Sequence, residues 1–537
     1  MITAAEQYLV ELINRARLDP QGEADRYLGG NLDANNTGAP FGTFSRQPLA
    51  VNEALNTAAA GHSQHMLAVD MFEHEGIGDG TATERMVNAG YPQEGSWGTG
   101  ENISVYGSTG TIDLNAQIEN HHEGLFQSIG HRRNILKDEF RELGVGQEAG
   151  VFSGFGDGIT YNASMLTENF AYSGSRYFLT GVVYDDLDSD GFYSIGEGTS
   201  GRQITAGAGS ATSALAGGYD IAVTPSSGFI TVTSGSPTPA VLQVEIGTRN
   251  VKLDFIGSDA VAVSANAVLV SGISEAHLLG TDALNLTGSN AAERLVGNAG
   301  ANILTGNGGN DLLRGGDGAD DLGGGAGNDT FLADADGVND SYDGGGDIDT
   351  MDYSSMTAGL SVNLFTGKAT SAQIGTDTLV SVERVLGGSG NDAILGNGAT
   401  RLISGNGGSD LLTGGAGANV IFGGLGNDTL RGLGGNDILV GGLGSDVMEG
   451  GAGNDTFLAD ADGANDRYDG GANIDTMDFS AMTAGLTVNL VVQTATSTQI
   501  GSDILTAVER VLGGGGNDAI LGNASTVLLS GNGGADA

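Results

Sequence analysis

The stretch GGLGNDTLR, Gly423–Arg431, has glycine at its first, second and fourth places, Asp428 at the sixth and Leu430 at the eighth. Glycines permit the positive φ of a tight turn and let backbone carbonyls approach a common point. The alternating residues after the Asp form a very short strand whose eighth residue turns inward. The same nonad starts at Gly297, Gly306, Gly315 and Gly324, in eight copies from Gly387 to Gly450, and at Gly513, Gly522 and Gly531. A longer period lies above it, because GNDTFLADADG begins at Gly327 and again at Gly453, 126 residues later. Repeats of this kind stack as a solenoid. The inward file is Leu313, Leu322, Phe331, Ile394, Leu412, Leu430, Leu439, Met448, Phe457 and Ile520, a core too thin to hold a structure by itself.

The sixth places form an acidic file: Asp311, Asp320, Asp329, Asp392, Asp410, Asp428, Asp437, Asp446, Asp455 and Asp518. Asp340, Asp349, Asp466 and Asp475 reach sixth places after a two-residue slip, which lets the coil continue through the spacers. Turns about 4.8 Å apart bring these carboxylates into mutual repulsion. From Gly280 on there are 33 acidic against 8 basic residues, so the folded array needs cations between its turns. Carboxylate and carbonyl oxygens in flexible geometry select Ca²⁺ over Zn²⁺ or Mg²⁺. The sixth place is Asn302, Arg401, Asn419 or Val527 in four nonads, where weak binding or none is expected.

These nonads resemble the RTX repeats of hemolysin-type calcium-binding proteins. The resemblance implies a parallel β-roll with Ca²⁺ between neighbouring turns. It also implies type I secretion of an unfolded chain that folds on extracellular calcium.

Composition agrees with an extracellular reading. The 537 residues carry a net charge of −45, which makes nucleic acid an unsuitable partner. The absence of Cys excludes disulfides, thiolate zinc sites and cysteine nucleophiles. In MITAAEQYLVELINRARLDP the charges of Glu6, Glu11 and Arg15 interrupt any signal-peptide core, and no later stretch has a membrane span's composition. The final GNGGADA stops inside a repeat, as expected of a truncated array.

Ahead of the repeats, composition divides the chain into residues 1–174, 175–258 and a β connector over 259–287, with the roll from 288 to 537. The middle part alternates like strands of a small β-sandwich, as at Ile221, Val223, Phe229, Thr231 and Thr233. It contains DLDSDGFYSIGE, in which Asp186, Asp188, Asp190, Gly191 and Glu197 fit a twelve-residue calcium loop, with Phe192 offering its carbonyl. The flanks read as strands, so this is an EF-hand-like loop on a β-domain. The segment resembles SdrD B-like and Cna-B-like modules of secreted surface proteins.

The first 174 residues contain every His but His277 and the clearest helical patterns. Thr3 and Glu6 form a capping-box pattern ahead of Leu9, Leu12, Ile13 and Ala16, and a second helix spans about 52–70. The segments HSQHM (62–66), FEHEG (72–76), GENI (100–103), GHRRNIL (130–136) and LTENFA resemble the bacterial branch of the CAP superfamily, the SCP-like extracellular domains. The resemblance implies an α-β-α sandwich with a cleft where His74, Glu101 and His131 converge. Such a set can hold Zn²⁺ or another divalent ion, or serve as acid and base. A further cleft Glu found in many eukaryotic members has Ser128 nearest its place, with Glu119 or Glu123 as substitutes. His62 reads as a hydrogen-bonded core residue, His121 and His122 as solvated.

The expected function is that of a secreted calcium-binding protein. Its CAP head acts as a binding module for lipid or sterol, cell wall or host surface, on a calcium-folded RTX stalk. A divalent-metal-dependent, peptidase-like hydrolase in the cleft and a structural adhesin are the alternatives. No serine nucleophile elbow is present, so acyl-enzyme chemistry has no nucleophile in a recognisable context.

Overall fold

The computed structural model describes residues 2–225, 228–235 and 239–537. The chain forms two compact units, one of residues 1–289 with 296–300 and one of residues 290–295 with 301–537.

In the first unit, helix α1 (Ala4–Leu18) opens with the Thr3–Glu6 capping box and ends at Asp19, which caps α2 (Pro20–Tyr27). Strand β1 (Ala50–Val51) leads into α3 (Glu53–Val69), capped by Asn52, and then α4 (Ala82–Asn88). Strand β2 (Trp97–Ser108), helices α5 (Leu114–Gln127) and α6 (Ile129–Ile135), and strands β3 (Glu142–Phe152) and β4 (Tyr161–Ser173) follow. The sheet order is β1-β3-β4-β2, parallel only between β1 and β3.

Alternation along these strands makes the three layers. Leu143, Val145, Leu166 and Phe170 pack with Leu9, Ile13, Ile118 and Phe126 of α1 and α5. Ala163, Met165 and Ala171 pack with Met66 and Leu55 of α3 on the other face. Gly144 and Gly146 let α3 lie on the sheet, since a Cβ at Gly144 falls 2.1 Å from the Leu55 carbonyl carbon and one at Gly146 falls 2.2 Å from the Ala60 nitrogen. The head is thus a mixed α/β, CAP-like fold.

Strands β5 (Tyr177–Tyr184), β6 (Gln203–Ala206), β7 (Gly209–Thr212), β8 (Gly218–Val223), β9 (Phe229–Ser234), β10 (Ala240–Glu245) and β11 (Val251–Ile256) follow within the first unit. β5 lies between β8 and β11, while β6 pairs with β7 and β9, and β9 with β10. Lys252 Nζ is buried at 2.5 Å from both Glu11 and Asp254, tying β11 to α1.

A parallel β-solenoid of about 15 turns occupies residues 260–530. Within the second unit, parallel rungs repeat at 18-residue spacing, as Leu430 opposite Met448 and Leu439 opposite Phe457. Eighth-place side chains are buried from Leu313 to Phe457, while Ile520 near the last rung is half-buried. Each spacer adds a short hairpin, Ser361–Asn363 with Lys368–Ser371 and Thr487–Asn489 with Thr494–Ser497. No described helix is long and apolar enough to cross a membrane.

Candidate functional sites

The repeat turns bring their sixth-place carboxylates into register. The Asp428 amide donates to Asp446 Oδ1 at 2.7 Å, and Asp410 to Asp428, Asp437 to Asp455, Asp455 to Asp475 and Asp311 to Asp329 each at 2.8 Å. One oxygen of each acceptor therefore fixes the rung. The other, Oδ2 of Asp311, Asp320, Asp329, Asp349, Asp410, Asp428, Asp437, Asp446, Asp455 and Asp475, is buried without a hydrogen-bond partner. Such an oxygen is costly unless a cation or donor meets it. Carbonyls complete the cradle, since a Cβ placed on Gly423 lies 2.3 Å from the Gly441 oxygen and 2.4 Å from Asp428 Oδ2. Asp320, Asp410 and Asp446 are raised to about 7, chiefly by burial, with a bonded backbone amide pulling the other way and neighbouring carboxylates adding to the rise. A donor set of hard, anionic and carbonyl oxygens fits Ca²⁺.

Other members of the file differ. Oδ2 of Asp340 and Asp466 accepts a tyrosine hydroxyl at 3.2 Å, from Tyr342 and Tyr468. Asp392 and Asp518 have both oxygens engaged, with Leu360 and Gly388 amides and with Leu486 and Gly514 amides. Asn419 accepts from the Gly415 amide and donates to the Thr400 carbonyl, and as a neutral amide it offers no anionic oxygen to an ion. Sequence reading missed Asp377 and Asp503, whose Oδ2 atoms are also buried without a partner. AQIGTDTLV and TQIGSDILT retain the fourth Gly, sixth Asp and eighth Leu of a nonad, a signal hidden by loss of the first two glycines.

In the loop after β5, ligand oxygens of Asp186, Asp188 and Asp190 lie within 4.8 Å of one another. Asp186 accepts from the Asp190 and Gly191 amides, and Gly191 adopts φ +73°. Glu197 stands outside the trio and is buried, accepting the Leu187 and Ser194 amides at 2.8 and 2.7 Å. It closes the loop. The Phe192 ring packs edge-on to Tyr8, with Arg15 over its face.

In the head, Glu101 of β2 is 8% exposed. Its Oε1 lies 2.9 Å from His74 Nδ1, and its Oε2 lies 2.5 Å from the Arg85 guanidinium of α4. His62 is buried, with Nδ1 at 2.5 Å from Asp79 and Nε2 at 3.9 Å from Glu101. Burial lowers the His62 pKa against the pull of Glu101 and Asp79. His131 is held below its ordinary value by burial and then by His74, and its buried Nδ1 has no partner. Asn102 joins the group by donating to the His131 carbonyl and to Glu168, while Asn134 donates to the Glu101 carbonyl. Glu168 is fully buried, and burial raises it to about 8, with Asn102 pulling the other way. The sequence reading overlooked Arg85, Asp79 and Glu168.

His121 and His122 are not solvated, contrary to expectation. His121 lies between Ser104 and Ser164, and His122 bonds Glu23 at 2.7 Å. Ile118, His121, His122, Leu125 and Phe126 share one buried face of α5. Burial pushes Glu23 up, but His122 and Arg15 outweigh it and hold the carboxyl at about 2. Glu119 accepts from Tyr27 and Glu123 from Gln127.

Residues 10–149 match the model of the Cysteine-rich secretory protein family. Residues 287–322, 296–331, 402–430, 423–457 and 440–477 match the RTX calcium-binding nonapeptide repeat. No curated protein shows a significant match. Among solved structures, an extracellular protein containing an SCP domain from Bacillus anthracis str. Ames is 25% identical, with a TM-score of 0.16. That match covers 23% of this chain and only 34% of the other. The chain carries a CAP/SCP domain within its first 150 residues and, beyond it, RTX calcium-binding nonapeptide repeats.

Proposed function

We propose that this is an extracellular protein whose repeats fold around calcium and whose CAP head binds a surface ligand, of lipid, sterol, cell-wall or host origin. The observation that carries the calcium half is the register of buried, unpartnered Asp Oδ2 atoms against glycine carbonyls. Export as an unfolded chain by type I machinery suits such repeats, since folding waits for an extracellular ion. The EF-hand-like loop adds a calcium site of the β-domain.

For the head, binding is favoured over metal-assisted hydrolysis by Arg85. Its guanidinium engages the same carboxylate that faces His74, so the cleft already holds a cation where a Zn²⁺ bridging His74 and His131 needs anionic support. Burial holds His131 below its ordinary value, so it presents a neutral imidazole able to hydrogen-bond a ligand.

Circular dichroism of the full chain, titrated with calcium after chelation, tests the first half. Strand signal should rise with the ion, and an unchanged spectrum refutes it. For the head, vesicle and cell-wall pull-down should weaken on His131→Ala with no turnover of peptide substrates. Hydrolysis abolished by Glu101→Gln overturns the binding reading.

A further inference from the structure

The turns Ala372–Asp377 (AQIGTD) and Thr498–Asp503 (TQIGSD) lie outside every stretch matched by the RTX repeat. They lack its first two glycines, yet they stack like nonads. The Asp340 amide donates to Asp377 Oδ1 at 3.0 Å, just as the Asp320 amide donates to Asp340 Oδ1 at 2.9 Å one turn earlier. One place before, the Thr376 amide donates to the Asn339 side chain at 2.7 Å, the same fifth-place bond that joins Asn328 to Asn310. Every element recurs 126 residues later, with Asp466 donating to Asp503 at 3.0 Å and Ser502 to Asn465 at 2.7 Å.

Asp377 and Asp503 are both 0% exposed, and Oδ2 of each is buried with no hydrogen-bond partner. The surroundings offer no sufficient counter-charge. Asp340 and Asp336 act on Asp377 with like charge, opposed by Lys368. Asp466 and Asp462 act on Asp503, and the position equivalent to Lys368 is Thr494. The difference between copies excludes a simpler account. The Tyr353 hydroxyl interacts electrostatically with Asp377 in the first copy but has no hydrogen-bond partner, the Tyr342 hydroxyl is given to Asp340, and the second copy has Phe479 in place of Tyr353. The aspartate oxygen is equally stranded with and without that hydroxyl.

We propose that these two degenerate turns are additional calcium sites, in which Asp377 and Asp503 present Oδ2 to an ion held against the preceding turn. The ion file therefore runs on into each spacer instead of ending at the last recognisable nonad. This rests on the calcium reading of the repeats, and it adds one ion to each 126-residue copy. A hard divalent cation is the partner that matches a buried carboxylate among other carboxylates.

Calcium bound per full chain, counted by equilibrium dialysis and metal analysis, tests it. Asn preserves the shape of the side chain and the Oδ1 acceptor for the Asp340 or Asp466 amide while removing the charge. Asp377→Asn and Asp503→Asn should each lower the count by one, and the double variant by two. Counts are taken on monomer that keeps the strand signal in calcium. If the double variant does not fold, Asp503→Asn decides, because its turn has no neighbouring lysine and is the simpler case. An unchanged count in folded variants, with Asp428→Asn lowering it, overturns this proposal alone. A wild-type chain that binds no calcium overturns it together with the reading of the repeats.

Discussion

The Arg85 guanidinium sits 2.5 Å from Glu101 Oε2 and 3.4 Å from Asp79, so a single buried cation neutralises two carboxylates from different parts of the head. Removing one partner of a buried pair leaves an uncompensated charge, at a cost of roughly 3–5 kcal/mol. Arg85→Met should destabilise the head by that order in denaturant unfolding, and Arg85→Met with Glu101→Gln should recover a good part of it. A double-variant loss equal to the sum of the Arg85→Met and Glu101→Gln losses would show that the pair is not coupled.

Two glycines of the array should respond oppositely to alanine. At Gly423 the new Cβ collides with the Gly441 carbonyl and Asp428 Oδ2, whereas at Gly323 nothing lies within 4 Å. Gly423→Ala should destabilise the calcium-loaded array by about 1–3 kcal/mol, as overpacking does. Gly323→Ala should be neutral or stabilise by about 0.4–1 kcal/mol through the unfolded state. Thermal midpoints in saturating calcium separate the two.

Glu168 gives the head a pH dependence with a defined sign. Its folded pKa, about 8, lies above the unfolded value because burial disfavours the charge. The neutral form therefore supports folding fully below about 4.5 and progressively less as pH rises through about 8. Calorimetry of the full chain in calcium should show the head transition falling between about pH 5 and pH 8 and levelling off above, and Glu168→Gln should flatten that fall. A wild-type profile indistinguishable from that of the Gln variant would contradict the assignment.

The loop after β5, proposed above as a calcium site, can be weakened without dismantling it. Its internal hydrogen bonds run through Asp186, Asp190 and Glu197, so Asp188→Asn removes one charge and leaves them in place. Affinity at the loop should fall by about tenfold, corresponding to about 1.4 kcal/mol. Terbium luminescence can read this, because the Tyr184 hydroxyl donates to the Gly191 carbonyl at 3.1 Å and places a sensitiser beside the ion. Tyr184→Phe should lower the loop's share of the signal, and Tyr184→Phe with Tyr193→Phe should remove it, since the two rings lie 6.0 Å apart beside the loop.

Periodicity made the repeats legible. A file of apolar eighth places and acidic sixth places can be counted in sequence, and the rungs follow that count from Leu313 to Phe457. Where the count slips, as at Asp377 and Asp503, pattern alone loses the site and only stacking recovers it. The head shows a different limit. His74, Glu101 and His131 stand out by their motifs, but the Arg85 contact joins α4 to β2 across 16 residues and has no local signature. His121 and His122 read as solvated because histidine is polar, although their spacing from Ile118 and Leu125 puts them on the apolar stripe.

The 126-residue copies stack in the same register and repeat inward-facing partners, as Phe331 with Met351 and Phe457 with Met477. An unequal genetic exchange between them inserts or deletes one whole copy and leaves every remaining rung with a partner of the same kind. Array length is thus a heritable quantity that can change in a single event without presenting the chain with a new folding problem.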